Sequence, residues 1–439
     1  NKQGLFSVKI ADKFSKISYV CNTFPQLIAK FAKIYCNMLR FSEKLSCFNT
    51  LSKKIELRFI VSIMLLLAPI LVSKAQKRER YEFYKDFPVY ADKLLSQLTY
   101  PLAWGNSDIK DFNQWKAAAR SKVLECMMTP PPAPKSYDMK VIGEEKRSGY
   151  TARKIEFNLS DFYRVRAYLL VPDGKGPFPA VNVLHDHGAH LYIGKEKVIR
   201  PFDDDSLVIA DADAWVDNIY GGQYFGDYLA KHGYVVFSID APMWGERGRK
   251  EGVDRKKYDI IAGNMMMYGR DLSAFMTYDD MASTEFLASL SEVDPTRIGC
   301  TGCSMGAYRA WMLSALSDRI SACAAVCWMV TTDVQMTWKY GRKESGGFAN
   351  CIPALRQYLD YPHIASIACP KPTLFINGEQ DKLFKIPGVK KAFKIMHEVW
   401  DSQNAGDNLE TELWPIPHSC GVEAQQRVLE FFERRLKKQ

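Results

Sequence analysis

Short apolar runs alternate with helix-like segments from residue 177 to the end of the sequence, and this alternation constrains the fold more than any other feature. The apolar runs cover residues 177–184, 234–239, 297–301, 320–328, 371–377 and 410–415. The helix-like segments between and after them cover residues 222–232, 272–290, 307–316 and 422–436. Buried strands separated by helices form parallel sheets, because the crossover helices cover both faces. We therefore predict an α/β protein with a mostly parallel central sheet and helices on both faces.

The segment before this pattern has a different character. Residues 115–128 have helical periodicity, and the proline-rich run 130–134 ends that helix because proline cannot continue it. Strand-like runs follow at 139–142, 151–157 and 165–171. We predict a small N-terminal helical extension with a Pro-rich linker over 76–134 and the α/β domain over 135–439, with an insertion at 331–367.

Residues 53–75 have the pattern of a secretory signal peptide. Three basic residues, Lys53, Lys54 and Arg58, precede the apolar run 59–72, and Ser73 and Ala75 supply small residues at the expected cleavage site. We therefore expect a periplasmic or secreted protein with no membrane span after signal cleavage. The alternatives are a buried helix or an uncleaved anchor. Residues 1–52 are interpreted as an upstream region translated from a misassigned start, and an amphipathic membrane-surface segment is the alternative.

The net charge of +9 could suggest a nucleic-acid-binding protein, but its distribution argues against one. Residues 1–75 hold 12 Lys/Arg and 3 Asp/Glu, so the remaining chain carries 47 of each sign. A body without net charge has no long-range field to attract a polyanion. We expect no nucleic-acid partner.

The pentapeptide Gly302-Cys303-Ser304-Met305-Gly306 matches G-x-S-x-G, directly after an apolar run and directly before a helix-like segment. This strand–turn–helix context is that of the nucleophile elbow, whose glycines permit a tight turn that exposes the serine hydroxyl. We predict Ser304 as a catalytic nucleophile. An ordinary strand-to-helix turn is the alternative.

A serine nucleophile needs a base and an acid that orients it, which follow it in the chain order Ser, Asp/Glu, His. His418 lies in a loop between the last strand-like run and the last helix-like segment. Asp381 follows the apolar run ending near Asn377, with Glu379 as the fallback. We predict His418 as the base and Asp381 as the acid.

The developing oxyanion needs hydrogen-bond donors. We expect one from the backbone N–H of Met305 and a second near His187, in the His185-Asp186-His187-Gly188 loop after an early strand. The spacing of His185, His187 and His190 also permits a metal site, but the Ser/Asp/His set makes us expect neither metal nor cofactor.

Two cysteines flank the predicted catalytic residues. Cys303 adjoins Ser304, and Cys420 lies two residues after His418. Because the fold would bring these loops together, we hypothesise a Cys303–Cys420 disulfide.

The chain from about residue 137 to its end resembles the dienelactone-hydrolase-like and acetyl-xylan-esterase-like branch of the bacterial α/β-hydrolases. The residues that carry the resemblance are His185 to Gly188, Asp240 to Gly248, Val293 to Gly299, Gly302 to Gly306, Gly378 to Asp381 and the His418 loop. Dienelactone hydrolases proper use a cysteine where Ser304 stands. Glucuronoyl esterases share the Cys-Ser pair but carry arginine where Met305 stands.

The resemblance implies hydrolysis of small esters, often acetyl groups on plant polysaccharides. We expect a serine esterase acting on a small ester or an acylated carbohydrate. Trp244, Trp328, Trp338 and Tyr340 are candidates for the walls of a sugar-binding cleft, and core packing is the alternative for these aromatic residues. A serine peptidase of the same fold and a catalytically silent carbohydrate-binding protein are the alternatives.

Overall fold

The computed structural model describes residues 82–84, 87–202, 204–337 and 347–437. The signal sequence predicted over 53–75 and the leader before it lie outside these residues, as do Trp338 and Tyr340. Residues Tyr81–Gln439 form one compact unit. Among the described residues, none of the helices combines the length and apolar character that a bilayer crossing requires.

A nine-stranded sheet forms the centre of this unit, and a separate antiparallel pair of short strands, β1 (Phe83–Tyr84) and β2 (Phe87–Pro88), precedes it in the chain. The strands of the sheet are β3 (Lys140–Arg147), β4 (Tyr150–Ser160), β5 (Tyr163–Pro172), β6 (Phe178–Leu184), β7 (Val235–Ile239), β8 (Val293–Cys303), β9 (Ile320–Val326), β10 (Thr373–Gly378) and β11 (Leu409–Trp414). Their order across the sheet is β11-β10-β9-β8-β6-β7-β5-β4-β3. Strands β6 to β11 pair in parallel, whereas β3, β4 and β5 are antiparallel and β5 joins the parallel part through β7. The predicted mostly parallel sheet is confirmed.

Eleven helices of the α type are described. They are α1 (Ala91–Leu95), α2 (Phe112–Cys126), α3 (Ser206–Tyr220), α4 (Phe225–Lys231), α5 (Arg255–Met267), α6 (Leu272–Ala288), α7 (Met305–Leu316), α8 (Thr332–Gln335), α9 (Tyr361–Ala365), α10 (Ile386–Ser402) and α11 (Val422–Phe432). Helices α3 and α5 were not predicted from the sequence. The segment predicted as an insertion contains the short helices α8 and α9.

The sheet buries apolar side chains on both faces. Phe375 of β10 belongs to the core that includes α6, α7 and α10, whereas its neighbours Leu374 and Ile376 belong to the core that includes α3, α4 and α11. Successive residues of a strand point to opposite faces, so a strand covered on both sides is apolar throughout. This explains why these strands appear in the sequence as continuous apolar runs.

The N-terminal extension packs into the same core. Asp111 caps the start of helix α2, and its side chain accepts a hydrogen bond from the backbone N–H of Gln114. Trp115 is fully buried and donates its indole N–H to the carbonyl of Leu102 at 2.7 Å. The Pro-rich segment therefore connects two parts of one compact unit.

We expect Trp115→Ala to lower the free energy of unfolding by about 3–5 kcal/mol, because it leaves a large cavity in the core. Chemical denaturation monitored by circular dichroism measures this change. The matched control is Asn113→Ala on the exposed side of α2, which should change stability by less than about 0.5 kcal/mol. Equal effects of the two substitutions would show that the extension does not unfold together with the domain.

Candidate active site

Ser304 occupies the single-residue turn between β8 and α7. Its backbone angles are φ 55° and ψ −122°, a conformation that costs a non-glycine residue about 1–3 kcal/mol and persists only where the surroundings hold it. Its backbone N–H donates to the carbonyl of Val326 at the end of β9, at 2.9 Å. The strand therefore ends and the helix begins at this serine, with its side chain at the carboxyl edge of the sheet.

The two glycines of the pentapeptide are required by a close approach of strand β6. A Cβ atom at Gly302 or Gly306 would collide with the carbonyl oxygen of Leu184. Leu184 ends β6 and pairs with Gly302 in the sheet. The loop that follows Leu184 therefore starts beside the Ser304 turn.

A continuous chain of hydrogen bonds joins the three predicted catalytic side chains. His418 Nε2 lies 2.8 Å from Ser304 Oγ, and His418 Nδ1 lies 2.7 Å from Asp381 Oδ2. The Asp381 side chain is fully buried, whereas 21% of the His418 side chain is exposed. The ring can thus be oriented from inside while it remains accessible from outside.

Backbone hydrogen bonds fix the acid loop against the histidine loop. The N–H of Glu379 donates to Trp414 O at 2.7 Å, and the N–H of Gln380 donates to Ile416 O at 3.1 Å. A side chain at Gly378 would collide with the carbonyl of Ile416. The structure thus brings Asp381 to the imidazole and leaves Glu379, the fallback acid, at an exposed position.

Burial and the neighbouring carboxylate have opposite effects on the pKa of the His418 imidazole. Burial, the largest, lowers the pKa of His418, but the hydrogen bond to Asp381 and the charge of that carboxylate together raise its pKa above the ordinary value. A ring with a raised pKa is a stronger proton acceptor. The Ser304 hydroxyl is the hydrogen-bonding partner of Nε2.

The two predicted oxyanion donors lie on adjacent segments. Met305 is the first residue of α7, where the backbone N–H groups have no acceptor within the helix. His187 lies in the loop after β6, largely buried, and its Nδ1 accepts a hydrogen bond from the N–H of Ala189 at 2.9 Å. Helix N-termini favour negative charge, so this corner of the site suits a developing oxyanion.

The other histidines have partners of their own. His185 Nε2 accepts from the N–H of Ala241, and His190 Nε2 contacts Asp211. These rings therefore point to separate partners, which does not favour the alternative of a metal site at His185, His187 and His190. Within the described residues, one group has metal-like spacing: Cys327, Asp381 and His418, whose potential ligand atoms lie within 4.8 Å of one another.

The hypothesis of a disulfide between Cys303 and Cys420 is wrong for this structure. Cys303 and Cys420 are buried free thiols, so the hypothesised disulfide is not formed in this structure. Cys327, beneath His418, is also a free thiol. A hydrogen bond with Cys303, together with burial, raises the pKa of Cys327 well above its ordinary value, which favours the neutral thiol.

Of the two interpretations of Trp244 and Trp328, the structure favours core packing over a sugar-binding wall. Trp244 is fully buried and only 4% of Trp328 is exposed, so neither ring offers a face on which a sugar could stack. Trp244 lies beneath the His187 loop and donates its indole N–H to the carbonyl of His187 at 3.2 Å. Trp328 packs against Phe384, with ring centroids 5.2 Å apart, and Phe384 in turn packs against His418.

A set of buried charges behind the His187 loop was missed by sequence reasoning. Lys195 pairs with Asp240 at 2.9 Å and with Glu196 at 3.2 Å, and Lys197 lies beside Asp186. Lysine is normally exposed, so a run such as Lys195-Glu196-Lys197 reads as a solvated loop. The one sequence signal was its position just after the His-Asp-His-Gly segment.

Comparison with known proteins agrees with this architecture. Residues 92–404 match the model of the abhydrolase family. YtaP of Bacillus subtilis, described as a hydrolase, is 28% identical over 296 residues, which cover 66% of this chain and 90% of YtaP.

Two solved structures share the fold. A Bacteroides fragilis protein described as an acetyl xylan esterase superposes with a TM-score of 0.58 at 20% identity, over 74% of this chain and 81% of that protein. A glucuronoyl esterase from Solibacter usitatus superposes with a TM-score of 0.55 at 14% identity, over 77% of this chain and 97% of the esterase.

The chain belongs to the α/β-hydrolase family, as the match over most of its length shows. The resemblance and the fold class predicted from the sequence are confirmed.

We expect the His418 imidazole to titrate above about 6.5, the ordinary histidine value, because Asp381 stabilises its protonated form. In Asp381→Asn that stabilisation is lost while burial remains, so the pKa should fall below the ordinary value. Nuclear magnetic resonance of ring-labelled histidine, with His418→Gln to assign the signal, measures both. Glu379→Gln is the matched control and should leave the titration unchanged. A titration that Asp381→Asn does not move would contradict this coupling.

Proposed function

We propose that this protein is a serine hydrolase that cleaves carboxylic esters through an acyl-enzyme and acts on acylated carbohydrates of the acetyl xylan type. The observation that carries the proposal is the unbroken chain of hydrogen bonds from Asp381 through His418 to Ser304. A hydroxyl becomes an effective nucleophile when a base removes its proton during attack. This arrangement supplies that base and orients it.

In the proposed mechanism, His418 Nε2 takes the proton of Ser304 Oγ as that oxygen attacks the ester carbonyl. Asp381 holds the imidazole in the required tautomer and stabilises the imidazolium. The N–H of Met305 and a donor near His187 bind the oxyanion. His418 then gives its proton to the leaving alcohol, and water, activated by the same base, releases the acid and restores Ser304.

The proposed substrate class rests on the neighbours and on the sequence. Structures with this fold include proteins named for acetyl xylan and glucuronoyl ester hydrolysis. The signal sequence predicted over 53–75 would place the enzyme in the periplasm or outside the cell, where such polysaccharides occur. The mechanism uses protein groups alone and requires no cofactor.

We expect Ser304→Ala to reduce hydrolysis of p-nitrophenyl acetate by at least about a thousandfold, since loss of a catalytic-triad nucleophile typically has this effect. The full chain is assayed beside Ser291→Ala, an exposed serine whose loss should change nothing. A fluorophosphonate should label the wild type and Ser291→Ala but not Ser304→Ala. Equal activity of both variants would contradict the assignment of the nucleophile.

Substrate profiling then tests the class. Release of acetate from acetylated xylo-oligosaccharides at a higher kcat/KM than cleavage of any peptide amide is the expected result. Preferential amide cleavage would favour the serine peptidase. A wild type that neither turns over esters nor reacts with the fluorophosphonate would favour a silent carbohydrate-binding protein.

A further inference from the structure

A fully buried lysine lies behind the loop that follows β6. The Lys197 side chain has no exposed surface, and its Nζ donates to the backbone carbonyls of Asp186 and His187, each at 3.1 Å. The same ammonium lies 3.4 Å from a carboxylate oxygen of Asp186. One cation thus holds two consecutive peptide groups.

Other buried side chains fix the same loop. Trp244 donates to the carbonyl of His187 at 3.2 Å, and the Asp186 carboxylate accepts from Tyr220 Oη at 2.9 Å and from Trp215 Nε1 at 3.2 Å. Burial lowers the pKa of Lys197, while Asp186 opposes that effect. Burying a cation is costly unless it is paired and hydrogen-bonded. The three oxygen atoms that accept from Lys197 Nζ all belong to Asp186 and His187.

The direction of these carbonyls determines the direction of the neighbouring N–H groups. The peptide bonds at 186–187 and 187–188 are trans, since the two cis bonds found precede Pro177 and Pro370. In a trans peptide the N–H points opposite to the C=O. The N–H groups of His187 and Gly188 therefore face away from Lys197.

The loop lies beside the nucleophile. Leu184 pairs with Gly302, and its carbonyl contacts the position of Gly306 so closely that a side chain there is excluded. Residues 185–188 and the Ser304 turn thus leave neighbouring strands at the same edge of the sheet. The proposed mechanism needs an oxyanion donor from this loop and makes no acid–base use of Lys197.

We propose that Lys197 is a positioning residue, which holds the Asp186 and His187 carbonyls so that the N–H groups on the opposite side of the loop are presented to the oxyanion together with that of Met305. This role rests on the proposed function. It gives the buried cation a catalytic consequence without contact to the substrate, and it distinguishes Lys197 from Lys195, whose ammonium pairs with the carboxylates of Asp240 and Glu196.

The test is Lys197→Met in the full chain, which keeps the length of the side chain and removes its charge and donors. We expect kcat for p-nitrophenyl acetate to fall about 100-fold, the typical cost of losing an oxyanion donor, with little change in KM. Affinity for phenylboronic acid should fall by a similar factor, because its tetrahedral serine adduct places an oxygen where the oxyanion forms. A purely structural lysine would not link these two losses.

Lys371→Met is the matched control. Lys371 also donates to two backbone carbonyls, those of Ser314 at 2.9 Å and Ser317 at 2.7 Å, but at the far end of α7. It should lower the melting temperature and leave kcat and boronate affinity unchanged. An active Lys197→Met with unaltered boronate affinity would overturn the proposal.

A second variant covers the case in which Lys197→Met does not fold. Trp244→Phe keeps a buried ring and removes one donor to the His187 carbonyl, so kcat and boronate affinity should each fall about fivefold, the typical effect of one neutral hydrogen bond. Unchanged values would refute the positioning of this loop. A wild type that neither hydrolyses an ester nor binds the boronate would refute the proposed function itself, whereas an active wild type with insensitive variants refutes the positioning role alone.

Discussion

The approach of the β6 carboxyl end to the Ser304 turn is the constraint on which the site depends. The carbonyl of Leu184 occupies the space where side chains at 302 and 306 would lie. Only glycine therefore fits at these two positions of the pentapeptide. That approach places the His187 loop beside the N-terminus of α7. It also surrounds a strained residue with rigid neighbours, and a positive φ at a serine is kept only under such conditions.

A second constraint is the burial of charge at the same edge. Asp381 has no exposed side-chain surface, and its position is held by backbone hydrogen bonds between its loop and the His418 loop. A buried carboxylate is tolerated when it is hydrogen-bonded, and the imidazole and the N–H of Leu383 provide those bonds. The raised pKa of His418 and the stability of the acid loop therefore have a common origin.

Local pattern was enough to predict the sheet and the three side chains of the candidate triad. The G-x-S-x-G context, the chain order and the loop positions of Asp381 and His418 are properties of short segments. Helix α3 was missed although its boundaries have signals, an Asp205 side chain that caps its start and Gly221 in the left-handed region at its end. The aspartates at 211, 213 and 217 obscured its apolar stripe.

The burial of individual side chains and the state of the cysteines depend on tertiary contacts, which the sequence pattern does not reveal. Whether Trp244 faces solvent or a loop depends on residues far along the chain, and the same holds for a lysine such as Lys197. Proximity of Cys303 to Cys420 followed from the topology, but the oxidation state of two nearby thiols is not encoded in their spacing.

The segments that follow β7 and β9 leave the sheet at the same edge as the Ser304 turn. Each segment contains one of the buried tryptophans that were candidates for the walls of a sugar-binding cleft. Trp244 packs against Tyr258 of α5 with ring centroids 5.6 Å apart, and Trp328 packs against Tyr361 of α9 with ring centroids 4.7 Å apart. Rings buried in this way stabilise their segments without facing solvent. Since function in a widespread fold is determined by the residues at the site, we expect the rest of these segments, and not the buried rings, to determine which ester the proposed enzyme prefers.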